Sequence, residues 1–198
     1  MVLKKSTEFA PLFAFAENFT KEGLEKLQNP RVICTHLPLR FLPPKVIGTA
    51  KIICVFRNPK DVAVSLHNYI RHINFIDYKA SWNDYLTLFV NGDVPCGNWF
   101  DHNLLENVSK VADFLGVKLG PELTTEITNK CDFKIQYEER TTNVHEIIAR
   151  LTKDTPNFLY RKGEVGEWKN WFTVAQSEEF DKMYHERMKN SNLNLRFS

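Results

Sequence analysis

The feature that most constrains the fold is an apolar run at residues 51–56. It reads Lys-Ile-Ile-Cys-Val-Phe, which is rich in β-branched side chains and lacks the polar alternation of a half-exposed strand. Such runs are typical of parallel strands that are covered on both faces. Asn58 and Pro59 follow, and a Pro in the first turn after an Asn predicts a helix start. A strand that leads directly into a helix predicts an α/β fold.

The rest of the pattern is mostly helical. One other strand is predicted, over residues 31–35, before a proline-rich stretch. A cap at Ser81 and a stop at Gly92 bound one helix, and Thr173 with Gln176 predicts a capping box that opens the last one. Further helices are predicted over 107–115, 121–130 and 144–151. We therefore expect a single domain over residues 1–198, with a short parallel sheet flanked by many helices.

Composition excludes several classes of protein. The 198 residues are 43% hydrophobic and carry a formal charge of +2, which is too small to predict nucleic-acid binding. No apolar run approaches the roughly 20 residues that a membrane helix needs. The His, Cys and acidic residues lack metal-ligand spacing, so no metal is expected. Four cysteines without a C-x-x-C pair fit a reduced, cytoplasmic compartment.

Two separate segments carry groups that suit a phosphate. Arg161, Lys162 and Gly163 offer a planar donor fork, a mobile point charge and an unhindered backbone N–H. Arg57 follows the predicted strand, and Ser65 lies about two helical turns later. Ligands bind at that end of strands in open α/β folds. Taken alone, the loop could be a basic surface loop, and Arg57 could form a local ion pair with Asp61.

The same residues resemble a known family. Residues 161–173 read Arg-Lys-Gly-Glu-Val-Gly-Glu-Trp-Lys-Asn-Trp-Phe-Thr and resemble the cytosolic sulfotransferase signature Arg-Lys-Gly-x-x-Gly-Asp-Trp-Lys-Asn-x-Phe-Thr. Residues 51–65 resemble the family's strand–Arg–helix–Ser element, and Thr-His-Leu-Pro at 35–38 resembles its catalytic-histidine segment. The resemblance extends from about residue 30 to the end. It implies a P-loop-like sulfotransferase fold with a truncated parallel sheet.

The resemblance implies a function and a set of site residues. The donor would be 3′-phosphoadenosine 5′-phosphosulfate, and sulfonate would pass to a hydroxyl or amine of a small apolar acceptor. His36 would be the general base that takes the acceptor's proton. Phe133 would stack near the adenine, although a core Phe is an open alternative. The residues implied to bind the donor's 3′-phosphate are Arg57, Ser65, Arg161, Lys162 and Gly163.

The segment after the signature resembles the family's dimerisation motif, Lys-x-x-x-Thr-Val-x-x-x-Glu. The matching residues are Lys169, Thr173, Val174 and Glu178. Two copies on a two-fold axis could pair Lys169 with Glu178 reciprocally, which implies a homodimer. The alternative is an ordinary helix N-terminus.

The sequence departs from the family pattern in three places. No Gly-rich loop for the 5′-phosphosulfate is found before His36, and Cys34 stands where the family usually has Lys. Trp99-Phe100-Asp101-His102 also leads almost directly into residue 107, where the family carries a further helix and core strand. Three interpretations stay open: an active enzyme, an inactive nucleotide-binding relative or dimer partner, and a defective product of a gene-model error.

Overall fold

The computed structural model of the protein describes residues 32–74, 76–95, 97–101, 133–142, 161–191, 193 and 195–198, with positions 22, 23, 26 and 116. The chain divides into two compact units, Met1–Pro43 and Pro44–Ser198. A single domain over residues 1–198 stays a prediction. The helices predicted over 107–115, 121–130 and 144–151 lie outside the described residues.

The first unit has little regular structure over residues 32–43, its longest described stretch. Cys34 forms a single β-bridge, so the strand predicted over 31–35 is wrong for the four positions that are described. The Thr35 hydroxyl accepts a hydrogen bond from the backbone N–H of Leu37 at 3.1 Å. The Pro38 carbonyl accepts one from Phe41 at 2.9 Å, in the 3₁₀ turn Leu39–Phe41. These local bonds form turns directly after the predicted strand.

The second unit is helical throughout most of its described residues. It contains α1 (Pro44–Thr49), α2 (Pro59–His72), α3 (Trp82–Asn91), α4 (Phe133–Thr142) and α5 (Val174–Met188), with 3₁₀ turns at Trp99–Asp101 and Glu167–Asn170. Helix α4 was not predicted from the sequence. Among the residues that the structure describes, no helix is long and apolar enough to cross a membrane.

The predicted helix ends are confirmed where the structure describes them. Asn58 caps α2 by accepting from the Asp61 backbone N–H at 2.8 Å, with Pro59 in the first turn. Ser81 caps α3, which ends at Gly92 in the left-handed conformation with φ of 84°. The capping box of α5 is present in both directions, Thr173 to Gln176 and back. Each cap satisfies backbone groups that would otherwise lack partners.

The strand predicted over residues 51–56 is wrong. Residues 51–58 have no regular secondary structure, and their exposure alternates, with Ile53 44% and Val55 82% exposed. A strand forms only when its backbone groups meet those of a neighbouring strand. The described ranges contain no second strand that could supply them. The segment therefore runs directly into the cap of α2 without forming a ladder.

The core lies where α2 and α3 pack against the chain that leads into α5. Its buried apolar residues are Ala63, Val64, Ile70, Tyr85, Leu86, Phe89, Phe172 and Phe180. Aromatic contacts hold the layers together, for example Phe172 against Phe180 at 5.7 Å and against Trp82 at 5.2 Å between ring centroids. This packing fixes the direction of the chain before α5, which contains the candidate phosphate loop.

A histidine lies inside this core. His67 is 2% exposed, and neither ring nitrogen makes a hydrogen bond of good geometry within the described part of the chain. Four rings surround it at centroid distances of 4.8–6.3 Å: Tyr78, Trp82, Tyr85 and Trp171. Burial, and secondly the Arg71 cation, lower the pKa of His67, and the Ala80 backbone only partly opposes them.

We expect this histidine to make the fold sensitive to acid. The unfolded chain takes up a proton at His67 near its ordinary pKa of about 6.5, whereas the folded chain does so only at lower pH. Stability should therefore fall as the pH drops below about 6.5. His67→Phe should reduce the loss of Tm between about pH 7.5 and pH 5.5, measured by thermal unfolding.

His185→Phe is the matched control, because His185 is exposed on α5. The acid-induced loss of Tm in His185→Phe should equal that of the unchanged protein. Equal pH profiles for the unchanged protein and His67→Phe would contradict the assignment of this loss to His67.

Candidate functional site

The two phosphate-binding segments of the sequence come together in the second unit. The Arg57 guanidinium donates from Nη2 to the Glu164 carbonyl at 3.2 Å, across 107 positions of the chain. The alternative in which Arg57 pairs with Asp61 is not what the structure contains, because Asp61 bonds elsewhere. Arg57 is therefore held beside the loop that carries Arg161, Lys162 and Gly163.

A buried carboxylate fastens this loop to the first turn of α2. Asp61 is 1% exposed, and its oxygens accept from the backbone N–H of Gly166 at 2.8 Å and of Trp168 at 3.0 Å. The Asn58 side-chain amide also donates to Asp61 Oδ2 at 2.7 Å. The loop is thus tied to the helix that begins just after Arg57.

Glu167 holds the two adjacent cations of the loop. Arg161 Nη1 lies 2.9 Å from Glu167 Oε1, and Lys162 Nζ lies 2.6 Å from Oε2. Burial raises the pKa of Glu167, but the bonds from Lys162, Arg161 and Asn170 outweigh it and lower the pKa to about 2. Glu167 is therefore ionised at neutral pH and balances only one of the two positive charges. Because Arg and Lys carry further N–H donors, both can still bind an anion.

Phe133 lies directly against the loop. Gly163 has φ of 69°, a backbone conformation that side chains rarely adopt, and a Cβ there would overlap the Phe133 ring. The resemblance to the family implied that both residues bind the same nucleotide, although they are 30 positions apart in the sequence. Their contact places the Phe133 ring against the residue that directly follows the two cations in the sequence.

Ser65 and His36 are the remaining residues of the predicted site. Ser65 is exposed on α2, and no described contact joins it to Arg57 or to residues 161–167. His36 is exposed and lies in the first unit, while the loop lies in the second. Their roles stay predictions.

The residues of the predicted dimer motif are accessible. Lys169, Thr173, Val174 and Glu178 are all exposed, and Val174 is 76% exposed. An exposed apolar side chain between charged ones suits a contact with another surface, but a helix N-terminus would also leave these residues accessible. Among the described His, Cys, Asp and Glu residues, no group could hold a metal ion.

The sequence analysis did not predict a role in the site for three residues. Asp61 and Glu167 hold the loop, and Lys60 is 1% exposed while bonded to Ser177 and Asp181, each at 2.7 Å. Lys60 Nζ also lies 4.2 Å above the Trp168 ring. Glu167 had a usable signal, since two adjacent cations before it require a counter-ion. The roles of Asp61 and Lys60 depend on contacts more than 100 positions away and left no local signal.

Comparison with known proteins identifies the family. A model of the sulfotransferase domain matches residues 9–105 and 103–192. The chain belongs to the sulfotransferase family. It is 30% identical to rat sulfotransferase 1C2 over 93% of its length and 33% identical to human sulfotransferase 2A1 over 84%. The matches cover 72% and 66% of these relatives, so the chain spans about two thirds of their length. These relatives are transferases.

Solved structures support the fold. The mouse sulfotransferase SULT7A1 complexed with PAP has a TM-score of 0.74 at 33% identity, over 86% of this chain and 71% of the other. A retinol dehydratase in complex with retinol and PAP has a TM-score of 0.75 at 23% identity, over 87% and 58%, and bears on the fold alone. The predicted P-loop-like sulfotransferase fold is confirmed, although the described residues are helix-rich and contain no strand of the predicted parallel sheet. The two family matches also meet at residues 103–105, where the sequence predicts a missing internal segment.

The contact between Gly163 and Phe133 can be tested by substitution. Gly163→Ala should destabilise the protein by about 1–3 kcal/mol from backbone strain. Overlap with the ring should add about 1–3 kcal/mol. Gly97→Ala is the matched control, because Gly97 has φ of 75° but no atom within 4 Å of its Cβ position. Urea unfolding of both variants measures the difference.

Phe133→Ala in the Gly163→Ala background should recover part of the lost stability, because it removes the overlapping ring. Equal losses for the two glycine variants would mean that the ring is not packed on Gly163 in solution.

Proposed function

We propose that this chain binds 3′-phosphoadenosine 5′-phosphosulfate and transfers its sulfonate to a hydroxyl or amine of a small apolar acceptor. The observation that carries the proposal is the contact of Arg57 with the loop of Arg161 and Lys162. Three cations within one loop and the adjacent helix start suit a phosphate monoester, which carries up to two negative charges. PAP bound to the mouse relative supports the same nucleotide.

The 3′-phosphate is the group that these cations would bind. Arg57, Arg161 and Lys162 would supply charged donors, Gly163 a backbone N–H and Ser65 a hydroxyl. Phe133, packed on Gly163, would offer its ring to the adenine of the same nucleotide. The loop would therefore bind the 3′-phosphate through its charges, and Phe133 beside it would bind the adenine by stacking.

His36 would act as the general base. A neutral imidazole can accept the acceptor's proton as its oxygen attacks the sulfur atom, and the sulfur–oxygen bond to the nucleotide phosphate breaks at the same centre. Sulfonate transfer, like phosphoryl transfer, depends on in-line placement and charge stabilisation rather than on covalent chemistry by the protein. The exposure of His36 fits access to an acceptor.

A second function is favoured by two sequence observations. Cys34 replaces the Lys that the family pattern has two residues before the histidine, which removes a cation from the transfer step. The family match is also split at residues 103–105. A nucleotide-binding relative without catalytic activity, or a partner for an intact relative in a dimer, would keep the loop but not the transfer.

Membership of the family also bears on assembly and location. We propose a homodimer in which Lys169 of one copy meets Glu178 of the other, with Val174 packed between them. We further propose a cytoplasmic protein with no nucleic-acid or membrane partner.

Nucleotide binding is the first property to measure. Arg161→Ala removes one charged donor, so the affinity for 3′-phosphoadenosine 5′-phosphate should fall by about ten- to a hundredfold in calorimetry. Lys189→Ala, an exposed cation at the end of α5, is the control and should bind as tightly as the unchanged protein. Equal affinity for Arg161→Ala and the unchanged protein would place the nucleotide elsewhere.

Transfer is tested separately from binding. His36→Ala should lower sulfonate transfer to a phenol or steroid hydroxyl by about 10²–10⁴-fold and leave nucleotide affinity unchanged. His185→Ala is the matched control for removal of an exposed histidine. Undiminished turnover in His36→Ala would rule out this base, and tight nucleotide binding without any turnover in the unchanged protein would support the inactive relative.

A further inference from the structure

We propose that Asp61 is a positioning residue that sets the selectivity of the site for a 3′-phosphate, an inference that rests on the proposed nucleotide binding. Asp61 is 1% exposed, and its described partners are neutral donors rather than a cation. A buried carboxylate is costly unless its oxygens are fully hydrogen-bonded. The first turn of α2 also favours a negative charge at this place. Asp61 is therefore held as an acceptor for the loop.

The bonds of Asp61 fix the backbone on both sides of Glu167. Gly166 N–H and Trp168 N–H bind opposite oxygens of the same carboxylate, at 2.8 and 3.0 Å. Gly166 has φ of 95°, and the 3₁₀ turn Glu167–Asn170 begins directly after it. With both neighbours fixed, the Glu167 side chain has one direction in which to leave the backbone.

The direction of Glu167 in turn fixes the two cations. Its carboxylate binds Arg161 and Lys162 at 2.9 and 2.6 Å, and Asn170 and Trp171 donate to the same two oxygens at 3.2 and 3.3 Å. A series of direct contacts thus connects Asp61 to the groups that would bind the phosphate. Because Asp61 is buried, its effect on a bound phosphate would act through this geometry.

Asn58 holds Asp61 from the other side. Its amide nitrogen donates to Asp61 Oδ2 at 2.7 Å and to the Arg196 carbonyl at 3.0 Å, while its oxygen caps α2. Trp168 Nε1 donates to the Phe197 carbonyl at 2.9 Å. The C-terminal residues therefore support the same loop through two backbone carbonyls.

The test compares two nucleotides that differ by the 3′-phosphate. Calorimetry with 3′-phosphoadenosine 5′-phosphate and with adenosine 5′-phosphate gives an affinity ratio for each variant. In Asp61→Asn an amide N–H must face either the Gly166 or the Trp168 N–H, so one bond to the loop is lost. We expect the ratio to fall about tenfold, because only the bisphosphate uses the displaced cations.

Val64→Ala controls for a general loss of stability. Val64 is 1% exposed on the same helix and belongs to the core rather than to the loop. Val64→Ala should lower Tm and leave the affinity ratio unchanged. Asp61→Asn should lower the affinity ratio whether or not its Tm also falls. An unchanged ratio in Asp61→Asn, or an equal fall in Val64→Ala, would overturn the proposal.

Asn58→Ser keeps the inference testable if Asp61→Asn does not fold. Ser retains a cap for α2 but removes the amide donor to Asp61 and Arg196, so the ratio should fall by a smaller factor. An unchanged ratio there would also overturn the proposal. If the unchanged protein does not prefer the bisphosphate, the proposed nucleotide binding itself is wrong. If the unchanged protein prefers it and the Asp61 and Asn58 variants keep the same preference, only the role of Asp61 is wrong.

Discussion

The buried first turn of α2 is the constraint on which the rest of the second unit depends. Asn58, Lys60 and Asp61 are each 1–2% exposed, and each bonds to a different distant segment. Asn58 reaches the C-terminal residues, Lys60 reaches α5, and Asp61 reaches the loop before α5. Because a buried polar group without partners is costly, these three segments can occupy few other positions while the turn stays buried. The cap of this turn, Asn58, directly follows Arg57, so the same bonds also position Arg57, which is a candidate to bind the phosphate.

Charge is distributed in the site according to burial. Lys60 is fully enclosed and has Asp181 at 2.7 Å and the Trp168 ring at 4.2 Å, so its charge is balanced within the fold. Arg161 and Lys162 are 32% and 44% exposed and share the single carboxylate of Glu167. Among the described cations of this region, Lys60 thus stabilises packing, whereas Arg161 and Lys162 together keep one positive charge that Glu167 does not balance. Of these three, only Arg161 and Lys162 can attract an anion from solution without breaking the core.

The sequence could predict what local chemistry determines. The caps at Asn58, Ser81 and Thr173 follow from side chains that bond three residues away, and the structure has them. The prediction of a strand over residues 51–56 was wrong because a strand needs a neighbouring strand to pair with, and the apolar run does not specify one. The site divides in the same way. The resemblance to the family implied that Arg57 and the 161–163 loop belong to one site. The carboxylates that hold the loop act through contacts between distant segments, which the sequence does not show.

Binding and transfer make separate demands on this chain. The loop, Arg57, the first turn of α2 and their supports in α5 and the C-terminal residues all lie in the second unit, and direct contacts connect them. His36 and Cys34 lie in the first unit. The loop and the supports described here therefore belong to one unit, and the predicted catalytic segment belongs to the other. Loss of a cation at Cys34 would lower the rate of transfer while leaving the loop intact, so nucleotide affinity alone cannot establish that the chain is catalytic.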